Sequence, residues 1–265
     1  MILHGILGSG RNWRSVGRRL AVELPQFGVV TVDLRGHGDS HGFALPHTVD
    51  ACVTDLDALA SAGVIRPWGL IGHSFGGKVA LCAARGGRGL AGVWALDSAP
   101  GTAADAGTAA ASDDVWQVIE RLARIPLPAP DRDTVVREME QVGLPPAIRA
   151  WMTTNLVRGP DGLRWRFDLP CVRQLMWSYG QTDAWPALEG GADARPRIHF
   201  VRAGKSERWQ ASQIQRLEAA DAAGHCKLHT LEQAGHWVHV DAPDALLECI
   251  ASDVRSLEGT DADAR

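Results

Sequence analysis

One pentapeptide constrains this chain more than any other stretch: Gly72-His73-Ser74-Phe75-Gly76. It follows a short apolar run, Trp68 to Ile71, that reads as a buried strand. It precedes a helical stretch with Phe75, Val79 and Cys82 on one face. A strand that turns into a helix this abruptly leaves no room for side chains at the two flanking positions, and glycine meets that demand. The turn also holds the Ser74 hydroxyl outward at a helix N-terminus, where amide N–H groups and the helix dipole favour negative charge. Two other readings compete for the same residues. Gly72 to Lys78 matches the Gly-x4-Gly-Lys of a phosphate-binding loop, but Val79 stands where that loop needs Ser or Thr for magnesium. A structural strand–turn–helix without chemistry also fits the pentapeptide taken alone.

The remaining sequence decides between them. With 265 residues, 45% hydrophobic and 22% charged, the chain can bury one sizeable core and an insertion. A net charge of −4 gives no support for nucleic-acid binding. No apolar run approaches a membrane span. The cysteines (Cys52, Cys82, Cys171, Cys226 and Cys249) are odd in number and lack CxxC pairs, so free thiols in a reducing compartment are expected. The sequence opens on Met1-Ile2-Leu3-His4-Gly5, which reads as the last residues of a strand, with no signal or transit peptide. That predicts a cytoplasmic protein as given, or an organellar one if an N-terminal segment is missing.

Strand and helix signals alternate along the first hundred residues. A glycine-rich loop (3–13) leads to a helix over 13–24, a β-branched strand over 28–34, and the polar loop Arg35-Gly36-His37-Gly38-Asp39-Ser40. A helix over 48–62, the Ser74 strand and helix, and a strand over 91–96 ending in Asp97-Ser98-Ala99-Pro100 follow. The alternation then stops. A small polar linker (102–111) precedes helices capped by Ser112-Asp113-Asp114 and by Asp131, a third over 145–157, an extended arm over 163–169 and a helix over 171–179. This block carries Trp116, Trp151, Trp165, Trp177 and Trp185. The alternation resumes with a strand at 197–203, a helix at 207–222, a strand at 227–231 and a helix at 243–257, leaving 259–265 as a disordered tail. The pattern predicts an α/β fold: a mostly parallel sheet with helices on both faces, a discontinuous core of 1–100 and 196–258, and a helical lid insertion of 101–195. His4, Asp33, Ser74, Asp97 and His236 all fall at or just after strand ends, where such sheets carry their ligands.

Together, the His4-Gly5 loop, Asp33-x-Arg35-Gly36-His37-Gly38, Gly72-x-Ser74-x-Gly76, the helical insertion and Gly235-His236 resemble the α/β-hydrolase fold over essentially the whole chain. Gly76-Gly77-Lys78, Asp97-Ser98-Ala99-Pro100, Trp151 to Leu156 and Gly235-His236-Trp237-Val238-His239 resemble a subfamily of small esterase-like hydrolases. Family order implies two further strands before Met1, which leaves the strand at 28–34 as a sheet edge. The resemblance implies a serine hydrolase. Ser74 would be the nucleophile, His236 the base that activates it, and backbone N–H groups of Ile6 and Phe75 the oxyanion hole. A carboxylate would orient the imidazole. Glu207, in Gly204-Lys205-Ser206-Glu207, has the spacing found in many relatives, while Asp97 matches the narrower subfamily and is favoured. Glu207 then reads as the start of the next helix.

The expected substrate is a small ester or thioester. Amide or carbon–carbon hydrolysis, acyl transfer, or a non-catalytic binding protein are the alternatives. No cofactor is implied. The histidine pairs His225/His229 and His236/His239 lack a Cys or carboxylate that would complete a metal set, and they read as surface or packing residues. His4 and His73 are expected to hydrogen-bond around the oxyanion loop. Asp33, Arg35 and Asp39 are expected to pin theirs by ion pairs.

Overall fold

Apolar runs with period-2 patterning must present alternate side chains to two faces, and both faces here are covered. The computed structural model describes residues 1–86, 88–105, 111–189 and 196–263, with backbone alone at 111–114 and 260–263. In chain order the elements are β1 (Ile2–Leu3), α1 (Arg14–Glu23), β2 (Thr31–Val32), α2 (Val49–Ser61), β3 (Gly69–His73), α3 (Phe75–Ala84) and β4 (Gly92–Leu96). Next come α4 (Ala111–Leu122), α5 (Arg132–Gln141), α6 (Pro146–Thr153), β5 (Leu156–Gly159), β6 (Gly162–Trp165) and α7 (Leu169–Gln181). Last are β7 (Arg197–Ala203), α8 (Ala211–Ala222), β8 (Lys227–Leu231), α9 (Val238–Asp241) and α10 (Pro243–Asp263).

Six strands form one parallel sheet in the order β2-β1-β3-β4-β7-β8. Leu3, Leu70, Val93, Ala95 and Phe200 enter one core with α2, α3 and α7. Their strand neighbours Ile2, Ile71, Trp94, Leu96 and Val201 enter a second core with α1 and α10. The sequence-predicted α/β fold is the fold observed. Helix α3 is buried along its entire length, so the turn that starts it is held from all sides.

Several expectations need correction. The strand over 28–34 shrinks to Thr31–Val32, because its one neighbour, β1, offers only Ile2 and Leu3 to pair with. It does lie at the sheet edge. The helix over 145–157 stops at Thr153, and the chain turns into the antiparallel hairpin β5–β6. The tail expected from Gly259 is helical to Asp263, since extending a formed helix costs little even through one glycine. Residues 264–265 of that tail, 106–110 of the linker and 190–195 of the insertion lie outside the described residues, as do the side chains of the Ser112-Asp113-Asp114 cap.

The block between β4 and β7 is fastened at its base. Ala103 N–H donates to Gly180 O (2.7 Å) and Ala184 N–H to Pro100 O (2.8 Å). Buried Lys78 donates from Nζ to both Gly101 O (2.6 Å) and Tyr179 O (3.0 Å), with the Tyr179 ring centroid 3.9 Å away. Two carbonyls and an aromatic face thus hold the Lys78 ammonium, and Val79 offers no magnesium ligand, which removes the phosphate-loop reading. The five cysteines are free thiols.

Candidate active site

Ser74 occupies the turn between β3 and α3 with φ 52°. The steric demand on its glycines is severe. A Cβ on Gly72 would lie 2.2 Å from Gly76 O, and one on Gly76 would lie 2.6 Å from both Leu3 O and His4 O. Among the described residues, three non-glycine residues have positive φ: Leu7, Ser74 and Asp97. Each such conformation costs on the order of 1–3 kcal/mol, and all three line the same strand edge. The Ser74 carbonyl accepts from Ser98 Oγ at 2.7 Å.

Asp97 follows β4 and is buried. Its Oδ2 accepts from His236 Nδ1 (2.7 Å) and Ser206 Oγ (2.5 Å), and its Oδ1 from Trp209 Nε1 (2.7 Å) and Ala203 N–H (3.1 Å). Burial pushes this carboxyl up. The His236 imidazole, Ser206 and Trp209 outweigh that and hold it below the usual carboxylate range. Glu207 is exposed, precedes the helix that begins at Ala211, and does not meet His236. Ser206 and Trp209, which the sequence reading missed, fix the carboxylate. A tryptophan in the polar loop after a strand end was the one available signal, because a buried indole N–H needs an acceptor.

His236 sits in the loop before α9. Its backbone carbonyl accepts from His73 Nε2 at 2.8 Å. Burial, then the neighbouring His236 and His239, push His73 well below its ordinary range, so it is neutral and braces the loop. The residues bracketing Ser74 carry amide donors with no described protein acceptor: the N–H groups of Ile6 and Phe75. The Ile6 loop is held by two neutral histidines. His4 accepts from Leu34 N–H (3.0 Å) through Nε2 and gives its Nδ1 proton to Gly5 O (2.8 Å). His37 accepts from Leu7 N–H (3.2 Å) and gives its Nδ1 proton to Arg35 O (3.0 Å). Burial pushes them down, to about 4 for His4 and about 3 for His37. Only part of the ion-pair expectation holds. Arg35 forks onto Asp55 and Asp39 meets Arg166, but Asp33 accepts from the backbone of Gly10 and Asp39.

Two cavities meet at Ser74. The smaller, about 260 Å³, extends past Phe75 under Trp116 and Trp177. The larger, about 770 Å³, extends past Trp13, Ile148, Trp151 and Trp237. Ile6, Ser74, Arg208 and His236 line both.

A carboxylate does join His229, contrary to the sequence reading, but it comes from α10. Asp253 Oδ2 accepts from His229 Nε2 (2.9 Å) and Trp94 Nε1 (3.1 Å), while Oδ1 accepts from Lys227 Nζ (2.5 Å). His199 Nδ1 lies 2.8 Å away, out of line for a hydrogen bond. Burial alone would raise Asp253; the histidines and Lys227 hold it far below its usual range. With the lysine ammonium already on it, this cluster reads as a hydrogen-bonded buried carboxylate rather than a cation site. His225 is exposed and apart from it.

A parallel sheet with a strained serine at a strand-to-helix turn, and a His–Asp pair beyond strand ends on the same edge of the sheet, defines a hydrolase architecture. Residues 1–248 match the model of the alpha/beta hydrolase family, and the chain belongs to that family. It is similar to the sn-1-specific diacylglycerol lipase ABHD11 of Mus musculus, 28% identical over 95% of this chain and 79% of that protein. It is also similar to lipase LipV of Mycobacterium tuberculosis (strain ATCC 25618 / H37Rv), 34% identical over 65% of this chain and 63% of that protein. A marine microorganism esterase shares the fold, with TM-score 0.75 and 23% identity over 95% of this chain and 93% of that one. The protein is an α/β-hydrolase enzyme. No helix among the described residues is long and apolar enough to cross a membrane.

Proposed function

We propose that this enzyme cleaves a carboxylic ester or thioester through an acyl-enzyme intermediate, using Ser74, His236 and Asp97. The observation that carries the reading is the 2.7 Å bond from His236 Nδ1 to buried Asp97, beside a cavity that both His236 and Ser74 line. His236 Nε2 takes the Ser74 proton as Oγ bonds to the acyl carbon. The oxyanion forms against the Ile6 and Phe75 N–H groups. Collapse breaks the bond to the alcohol or thiol, which leaves with the proton from His236. Water, deprotonated by the same imidazole, then releases the acid and restores Ser74. Asp97 stays ionised and stabilises the imidazolium. The block over 101–195 acts as a lid that walls both cavities and excludes water.

A fluorophosphonate probe tests this reading. Wild-type protein is labelled and Ser74→Ala is not. A folded wild-type protein that resists labelling, or labelling that survives Ser74→Ala, overturns the assignment.

A further inference from the structure

The two cavities differ in size and in how their cations are placed: Arg208 lines both, Arg121 lines the larger, and the buried Lys78 lines the smaller alone. The smaller one has two cationic side chains in its wall, Lys78 and Arg208. Among the described residues its one acidic wall residue is Asp97, whose carboxylate oxygens are occupied by four donors. Lys78 is 1% exposed and forms no ion pair among the described residues. Its ammonium has three protons, and two neutral carbonyls, Gly101 O and Tyr179 O, take two of them. Asp105 and Asp183 act on Lys78 through space, but both are exposed and outside the cavity wall. A buried cation beside a cavity, bonded to dipoles and an aromatic face with its nearest described acids exposed and at a distance, is an electrostatic demand for an anion. Its position limits that anion. Lys78 lies one helical turn beyond Ser74 on α3, about 5–6 Å along the axis, so the complementary charge is a short chain away from the scissile carbonyl. Arg208, half-buried at the junction of the cavities, adds a second positive group within the same wall.

Resting on the serine-hydrolase reading above, we propose that the smaller cavity selects an ester or thioester with one short arm ending in a carboxylate. The carboxylate is held by Lys78 and Arg208, and the larger cavity, with Trp13, Ile148, Trp151 and Trp237 in its wall, takes the other arm. The chemistry at Ser74 is unchanged; the cations set which ester is presented to it. The charged arm can belong to the acyl group, as in a half-ester of a four- or five-carbon diacid, or to the leaving alcohol.

The test compares kcat/KM for isosteric pairs in which an isopropyl group replaces the carboxylate. Monoethyl succinate against ethyl 4-methylpentanoate probes the acyl side. The acetyl ester of 3-hydroxypropionate against 3-methylbutyl acetate probes the alcohol side, with products followed by liquid chromatography. The charged member of one pair is expected to be favoured about 10- to 100-fold, the range of one or two charge-assisted bonds. Lys78→Met and Arg208→Gln should each pull that ratio toward one. The ratio separates recognition from the strut-like role of Lys78, since a loosened fold lowers both members alike. Where Lys78→Met does not fold, Arg208→Gln alone decides. The proposal is overturned if the neutral member equals or exceeds the charged one in both pairs, or if the ratio survives the variants. Probe labelling of Ser74 with neutral-ester turnover but no charge preference refutes this inference alone. Absence of labelling and of all turnover refutes the serine-hydrolase reading and this inference with it.

Discussion

Replacing Asp97 by Asn tests the site through its hydrogen-bond geometry. Four donors converge on the carboxylate: Ala203 N–H and Trp209 Nε1–H on Oδ1, His236 Nδ1–H and Ser206 Oγ–H on Oδ2. An amide has one acceptor end and one donor end. Its NH2 cannot face Ala203 and Trp209, because neither can reverse its role and two opposed N–H groups would be buried. It must therefore turn toward His236 and Ser206. The serine hydroxyl can rotate and accept. The imidazole can accept only by moving its proton from Nδ1 to Nε2, the nitrogen that must be free to take the Ser74 proton. Asp97→Asn should thus keep the shape of the site while inverting the tautomer. The expected cost is about 10³- to 10⁴-fold in kcat, on the order of 4–5.5 kcal/mol of barrier. Turnover of short p-nitrophenyl esters measures it, with circular dichroism to verify the fold. Exposed Glu207→Gln should stay within about twofold of wild type. A folded Asp97→Asn within tenfold of wild type, or a collapse of activity in Glu207→Gln, would refute the reasoning.

Two further expectations concern the loop that carries Ile6. His4 and His37 have folded pKa values pushed to about 4 and about 3, below an unfolded value near 6.5, so the unfolded chain binds their protons more readily. Stability should therefore fall as pH drops from about 6.5 toward 4, by several kcal/mol at most, with His73 and His239 acting in the same direction. Urea midpoints at pH 7.5, 6 and 4.5 check this, and His37→Gln should flatten the slope; an unchanged slope sinks the account. Gly76→Ala pushes a Cβ to 2.6 Å from the Leu3 and His4 carbonyls, so it should lower stability by about 1–3 kcal/mol and cut labelling of Ser74. A variant with wild-type melting and labelling would show that the turn has slack.

How much was legible depended on whether a residue's role is local. Gly72 and Gly76 are dictated by contacts inside one turn, so the sequence discloses them. Asp97 and His236 could be read because a parallel sheet delivers strand ends to one edge. The partners of Asp97 could not be read, because Trp209 and Ser206 reach it across a loop whose shape no periodicity encodes. The Asp253 cluster was hidden for the same reason: four elements, β4, β7, β8 and α10, build it. The β5–β6 hairpin was a missed local signal, since Gly159-Pro160-Asp161-Gly162 is strong turn chemistry. The shortened β2 is the opposite case. Its β-branched sequence is sound, but a strand extends only as far as its neighbour does.

The fastening below α4–α7 has a dynamic consequence. Two backbone bonds and one shared ammonium join the Pro100–Ala103 flank to the Tyr179–Ala184 flank. Swinging the whole block outward would strip a buried cation of two acceptors, and spreading its two flanks would break the backbone pair. The neck is therefore the stiff part of the block. On the proposed lid role, substrate is then admitted by rearrangement above the neck, among the helices that line the cavities, while the wall around Lys78 keeps its shape.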